Sequence, residues 1–372
     1  MSATNIPKRR IHELDLLRGF FIVVIILDHL QFWPSPLQYL TGQGRLWVSA
    51  AEGFFIISGL LIGYLRLYKD AHVDISVLAQ KLWKRAVRLW LWCVIITFTV
   101  TALTVLLPGD GYLMPRVAQT EQVSSLPVYL WNVVTMNYAN DWIYFLRLYA
   151  IMLAITPFVV WCVRQGKWWF VALGSLGLYA LSLVLQLSES ALQWQVLFFG
   201  AALVGWKFEH LLVWLHARPK IFTTLKYSLV AVTFATMALS YFMVHGWSYV
   251  ESPATSLSRN TYISIRTHVD PLFSNSPLVP LRIGLAFVWF SGLLALFHLV
   301  RQPLERALGW LLYEFGKASL TAYCLQALLL GFVTSFVSGG NSFWLNGLVG
   351  VAVLLVFWLL MRLPLTKQIL PT

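Results

Sequence analysis

The segment ELDLLRGFFIVVIILDHL, residues 13–30, sets ionisable side chains inside an apolar run. Arg18 and His29 stand eleven residues apart. At 100° per residue this spacing returns to within about 20° of the same helix face, roughly 16 Å further along the axis. Asp15 shares that stripe one turn before Arg18, whereas Asp28 points about 100° away from His29. An ionisable group within a span costs a few kcal/mol at the least, so such groups face a protein interior or an aqueous cavity and are candidates for function. The next apolar run, AAEGFFIISGLL, adds Glu52. A carboxylate that orients an imidazole and raises its basicity is what a general base needs to take a proton from a hydroxyl. His29 is then the candidate base and Glu52 its partner, with a nucleophilic, acyl-carrying imidazole as the alternative chemistry. The plainer reading makes Asp15 and Arg18 interfacial residues that snorkel to water, with His29 hydrogen bonded at the far end. His29 lies about four-fifths of the way through the run at 14–33, short of its end, where snorkelling is harder.

The elements that must position these groups are membrane helices. Of 372 residues, 59% are hydrophobic and only 11% charged, and the mean hydropathy is +0.71, whereas a soluble domain carries about a quarter charged residues. Apolar runs fall at about 14–33, 46–68, 85–107, 142–163, 168–187, 191–210, 222–245, 280–300, 311–336 and 343–362. These predict an all-α integral membrane protein with about ten transmembrane helices and membrane lipid as its surroundings. A shorter run near Val128 to Met136 is too short to cross and reads as interfacial or re-entrant. The first run follows Lys8, Arg9 and Arg10 but lacks a small-residue cleavage pattern, so it is expected to stay as a helix.

The net charge of +12 would suggest nucleic acid in a soluble protein. Here it is read against topology, and no nucleic-acid partner is expected. Twenty Lys and Arg fall on the side of the N-terminus, while only Arg45, Arg116, Arg259 and Arg266 fall on the other. Arg18, Arg147 and Arg282 lie within or at the ends of spans. Both termini are therefore expected in the cytoplasm. Residues 1–372 read as a single transmembrane domain, with a short basic cytoplasmic N-terminus at 1–13 and outer connections at 108–141 and 246–279. No repeat or low-complexity tract marks a second domain. The sequence sets no oligomeric state.

Other motif chemistries are weak. Cys93, Cys162 and Cys324 sit in separate apolar runs without CxxC spacing, so neither a disulfide framework nor a metal site is expected. His268, Asp270 and His298 read as ordinary polar residues. Neither a nucleophile elbow nor a phosphate-binding loop is present, and Ser58, Gly59 and Gly63 suit helix packing.

These residues carry a resemblance to the acyltransferase-3 superfamily of integral membrane acyltransferases, and within it to the group resembling OpgC, the succinyltransferase of osmoregulated periplasmic glucans. Three signatures carry it: Arg18, ten residues, then His29; Glu52 followed by FFIISGLL; and Arg85, Arg88 and Leu89 in KRAVRLWLW, where tryptophan replaces the proline that often follows. DWIYFLRLYAIMLAITP, WQVLFFGAALVGW and FGKASLTAYCLQ resemble later elements, although Gln326 stands where relatives often carry His. The resemblance implies an acyltransferase-3-like bundle in the plasma (inner) membrane. It also implies transfer of a succinyl or acetyl group from a cytoplasmic acyl donor, with acyl-CoA as co-substrate, to a glycan acceptor hydroxyl outside. No tightly bound cofactor is expected.

His29, Glu52 and Arg18 are then the catalytic candidates. Asp15, Ser58, Arg85, Arg88, Asp141, Arg147, Tyr149, Trp194 and Gln195 are the candidates for binding donor or acceptor. Arginine forks suit the phosphates of the donor, although Lys81 and Lys84 beside them also serve as topogenic charges. Trp194 and Gln195 could stack on and hydrogen bond a sugar, while helix-end anchoring explains the Asp141 to Tyr149 group equally well. A transporter of a small molecule or glycan precursor that uses the intramembrane charges is the rival class. Against it, no inverted repeat is visible and the charges cluster in the first three spans. A binding protein that has lost turnover is a third reading, suggested by Gln326.

Overall fold

The computed structural model describes residues 11–106, 125–187, 189–250, 252, 256–337 and 339–370. Among the described residues no β-strand forms. In chain order the helices are α1 (His12–Leu30), α2 (Gln38–Thr41), α3 (Ala50–Ile62), α4 (Ile75–Leu106), α5 (Leu126–Val134), α6 (Tyr144–Arg164), α7 (Trp168–Val184) and α8 (Ser190–Trp206). They continue with α9 (Phe208–His216), α10 (Pro219–His245), α11 (Trp247–Val250), α12 (Arg259–Val269), α13 (Pro280–Leu299) and α14 (Arg301–Lys317). Last come α15 (Ser319–Phe336), α16 (Phe343–Arg362) and α17 (Pro364–Ile369). Helix is the form an apolar chain must take in lipid, because it satisfies every backbone N–H and C=O within one segment.

Each apolar run read from the sequence contains, among the described residues, helix over most of its length. Among the described residues seven helices are long and apolar enough to cross a membrane, or eight if α8 and α9, bent by 56°, form one span. That is fewer than ten, for local reasons. Helix α1 carries Glu13, Asp15, Arg18 and Asp28, and α7 is only 17 residues long. Helix α8, also 17 residues, reaches spanning length only when joined to the bent α9. The run at 311–336 is divided without loss of a span, because Ala318 leaves the helical region (φ −121°, ψ 45°) between α14 and α15 and α15 alone is long enough. Hydropathy does not register such a break. The short run near Val128 is α5, nine residues long, about 14 Å and too short to cross. Lys8, Arg9, Arg10 and Arg116 lie outside the described residues.

The 32 residues of α4 measure about 48 Å, well beyond a ~30 Å hydrocarbon core. Residues 89–106 alone extend about 27 Å. The preceding turns, with Lys81, Lys84, Arg85 and Arg88, are thus free to stand outside the hydrocarbon.

The chain divides into two compact units, each assembled from separate stretches. One comprises Met1–Leu17, Gly44–Val73 and Val159–Ala307; the other Arg18–Gln43, Asp74–Phe158 and Leu308–Thr372. In the first, α3 and α8 meet backbone to backbone. A Cβ on Gly59 would sit 2.1 Å from the Phe198 carbonyl oxygen, and one on Gly63 1.9 Å from that of Ala202. Small residues are what allow helices to approach so closely in a membrane protein. Helix α3 runs on into a π-helix at Gly63–Lys69, which Arg164 closes by donating to the carbonyls of Asp70 and Val73. In the second unit, Gly19 of α1 meets α14 in the same way, 2.0 Å from the Leu312 carbonyl oxygen to an added Cβ.

Candidate active site

Arg18 and His29 both belong to the second unit, and both bridge α1 to α15. The Arg18 guanidinium donates to Ser319 Oγ, and His29 Nδ1 lies 2.9 Å from Gln326 Oε1. Residue numbers rise together at the two bridges, so α1 and α15 run in the same direction. His29 is half-buried, and among the described residues no hydrogen bond occupies its Nε2. Gln326 is fully buried, and its Nε2 donates to the Trp142 carbonyl at 2.9 Å. The Gln326 amide thus joins three elements, α1 through His29, its own α15, and the 3-10 turn Asp141–Ile143 through the Trp142 carbonyl.

The side-chain oxygen of Gln326 is the partner of His29 Nδ1; Glu52, which the sequence suggests as the group that orients this imidazole, belongs to the first unit. Both oxygens of Glu52 are engaged within the first unit. One accepts from the Ser49 backbone N–H and hydroxyl, forming the capping box that starts α3. The other accepts from Arg282 Nε of α13. Arg282 also donates to the Phe273 carbonyl, so the pair ties α3 to α13 and to the segment before it. The acidic residue ahead of FFIISGLL therefore starts a helix and binds an arginine.

Other expected site residues divide between the units. In the second, Arg85 is half-buried with its guanidinium 5.8 Å from the Tyr149 ring, while Lys81, Lys84 and Arg88 are exposed. Arg147, also half-buried, lies 5.6 Å from the Tyr144 ring, and Asp141 is exposed at the start of its turn. In the first, Asp15 and Ser58 are buried. Trp194 packs edge-on against Phe55 at 5.5 Å, and Gln195 donates to the carbonyls of Ser175 and Leu192 while accepting from Ser175 Oγ. These contacts occupy Trp194 and Gln195 in joining α7, α8 and α3. The polar residues set aside from the sequence find local partners: His298 with Glu13, His268 with the Ser264 carbonyl, and Asp270 with Arg266. Among the described residues no three His, Cys, Asp or Glu are grouped to hold a metal ion.

Sequence reasoning did not find Ser319 and Arg282 as partners. A serine in an apolar helix carries no signal of its own. Arg282 does carry one, because an arginine inside a span needs a carboxylate.

Fold and site together define a class, a helical multi-pass membrane protein with an imidazole and an arginine on one stripe of its first helix. The chain belongs to the OpgC family: the sequence model described as OpgC protein matches residues 10–366. That family implies an acyltransferase. No curated protein and no solved structure matches the chain.

Proposed function

We propose that this protein is a membrane O-acyltransferase, moving a succinyl or acetyl group from a cytoplasmic donor such as acyl-CoA to a hydroxyl of a periplasmic or cell-surface glycan. The carrying observation is His29, half-buried, with one ring nitrogen held and the other without a hydrogen bond among the described residues. In this reading the imidazole takes the proton of the acceptor hydroxyl while its oxygen attacks the acyl carbonyl. The tetrahedral intermediate collapses, the acyl oxygen ester forms, and the departing thiolate takes up the proton from the imidazolium.

Arg85 and Arg18 are assigned to the donor side, as arginines suited to phosphate oxygens. Glu52 is assigned to holding α3 and α13 through Arg282. Ten spans, cytoplasmic termini, a plasma-membrane location and kinship with the wider acyltransferase-3 superfamily belong to the same proposal. The common direction of α1 and α15 supports the span count, since first and ninth spans must cross in the same sense.

The test is to reconstitute purified protein in liposomes with radiolabelled succinyl-CoA or acetyl-CoA and candidate glucans. Label bound covalently to glucan and released by mild alkali is the expected result. Counterflow of unmodified glucan without covalent product would replace this reading with a transporter.

A further inference from the structure

Gln326 has an amide with two neighbours of different character. Its Nε2 faces the Trp142 carbonyl oxygen at 2.9 Å and its Oε1 faces His29 Nδ1 at 2.9 Å. A backbone carbonyl can only accept a hydrogen bond. Turning the amide over would set oxygen against oxygen in a fully buried place, leaving both groups without a donor, which is strongly disfavoured. The carbonyl of Trp142 therefore determines which end of the amide meets the imidazole, and that end is an acceptor. An acceptor 2.9 Å away requires a proton on Nδ1. In the neutral ring the lone pair is then on Nε2.

We propose that Gln326, held by the Trp142 carbonyl, is a positioning residue that locks His29 in the Nδ1–H tautomer and so presents Nε2 as the basic nitrogen. This rests on the reading of His29 as the base. An amide suits the task because it does not ionise. A carboxylate or a second imidazole at the same place would orient the ring too, but would also compete for protons.

The test reads the tautomer directly. Full-length protein labelled with 15N-histidine is placed in lipid nanodiscs, and long-range proton–nitrogen correlations show which ring nitrogen of His29 is protonated. The His29 signal is assigned by its loss in His29→Asn. Wild-type protein at neutral pH should show Nδ1 protonated and Nε2 bare. Gln326→Leu should lose that preference, and its kcat should fall about tenfold or more while the donor KM stays within about twofold. Gln326→Glu, whose carboxyl in its protonated form donates to the Trp142 carbonyl and accepts from Nδ1–H as the amide does, should keep the tautomer. If Gln326→Leu does not fold, the wild-type and Gln326→Glu spectra decide alone. A wild-type signal with Nε2 protonated overturns the proposal whatever the activity, as does an unchanged tautomer in Gln326→Leu. Either result combined with an inactive His29→Ala would remove Gln326 from its role and leave the acyltransferase reading standing.

Discussion

Glu52 is 0% exposed and the Arg282 side chain 8%, so both charges have left water and each depends on the other. Removing one member of a buried pair strands the other charge, at about 3–5 kcal/mol. The structure separates the two single losses. Arg282→Met leaves Glu52 with the Ser49 N–H and hydroxyl donors, at the favourable N-terminal end of α3, which places it near about 3 kcal/mol. Glu52→Leu leaves the guanidinium with the Phe273 carbonyl alone and also breaks the capping box, itself worth about 1 kcal/mol, so its loss reaches about 5 kcal/mol. The double variant removes both charges and should fall short of the summed losses by about 3 kcal/mol. Cys93, Cys162 and Cys324 are free and buried, so a thiol-reactive fluorogenic dye in a denaturant titration reports unfolding. Losses that add to within about 0.5 kcal/mol, or a larger loss for Arg282→Met than for Glu52→Leu, would refute the pairing.

Helix contact gives a second prediction. Gly19→Ala forces α1 off the Leu312 carbonyl and should cost about 1–3 kcal/mol, whereas Gly174→Ala, with nothing within 4 Å of the added carbon, should stay within about 0.5 kcal/mol by the same titration. Arg85→Ala should raise the KM for acyl-CoA about tenfold through loss of one charge-assisted contact. Arg88→Ala, on the exposed side of α4, should change it by about twofold or less; equal effects would remove the distinction. A cysteine probe in place of Lys84 should label only from the cytoplasmic side and one in place of Arg259 only from outside. The reverse pattern would invert the proposed orientation.

Among the described residues hydropathy located the long apolar helices, because a continuous apolar run in lipid has no other way to satisfy its backbone. It did not locate α14, whose first half, Arg301–Trp310, carries Arg301, Glu305 and Arg306. The break at Ala318 falls inside one apolar run because the leucine-rich stretches on either side outweigh Glu314 and Lys317, the charges that lead into it. Helical arithmetic placed Arg18 and His29 on one stripe, and both indeed reach the same neighbouring helix, α15. Which group holds His29 was not legible, because the partner comes from a helix 297 positions later in the chain. Glu52 looked suitable by type and by proximity in sequence. Its actual partners, a cap serine and Arg282, follow from the helix start at Ala50 and from a contact 230 residues away. Trp194 and Gln195 are of types that bind sugars, but buried tryptophan and glutamine serve equally well to join helices, as their contacts with Phe55 and Ser175 do.

The central claim is that His29 is the base in an acyl transfer. The most direct measurement compares initial rates of label transfer from radiolabelled acyl-CoA to glucan by wild-type protein and His29→Ala, reconstituted at equal folded amounts. Loss of a general base predicts a kcat lower by about a hundredfold or more with little change in donor KM. Equal rates for the two proteins would contradict the account.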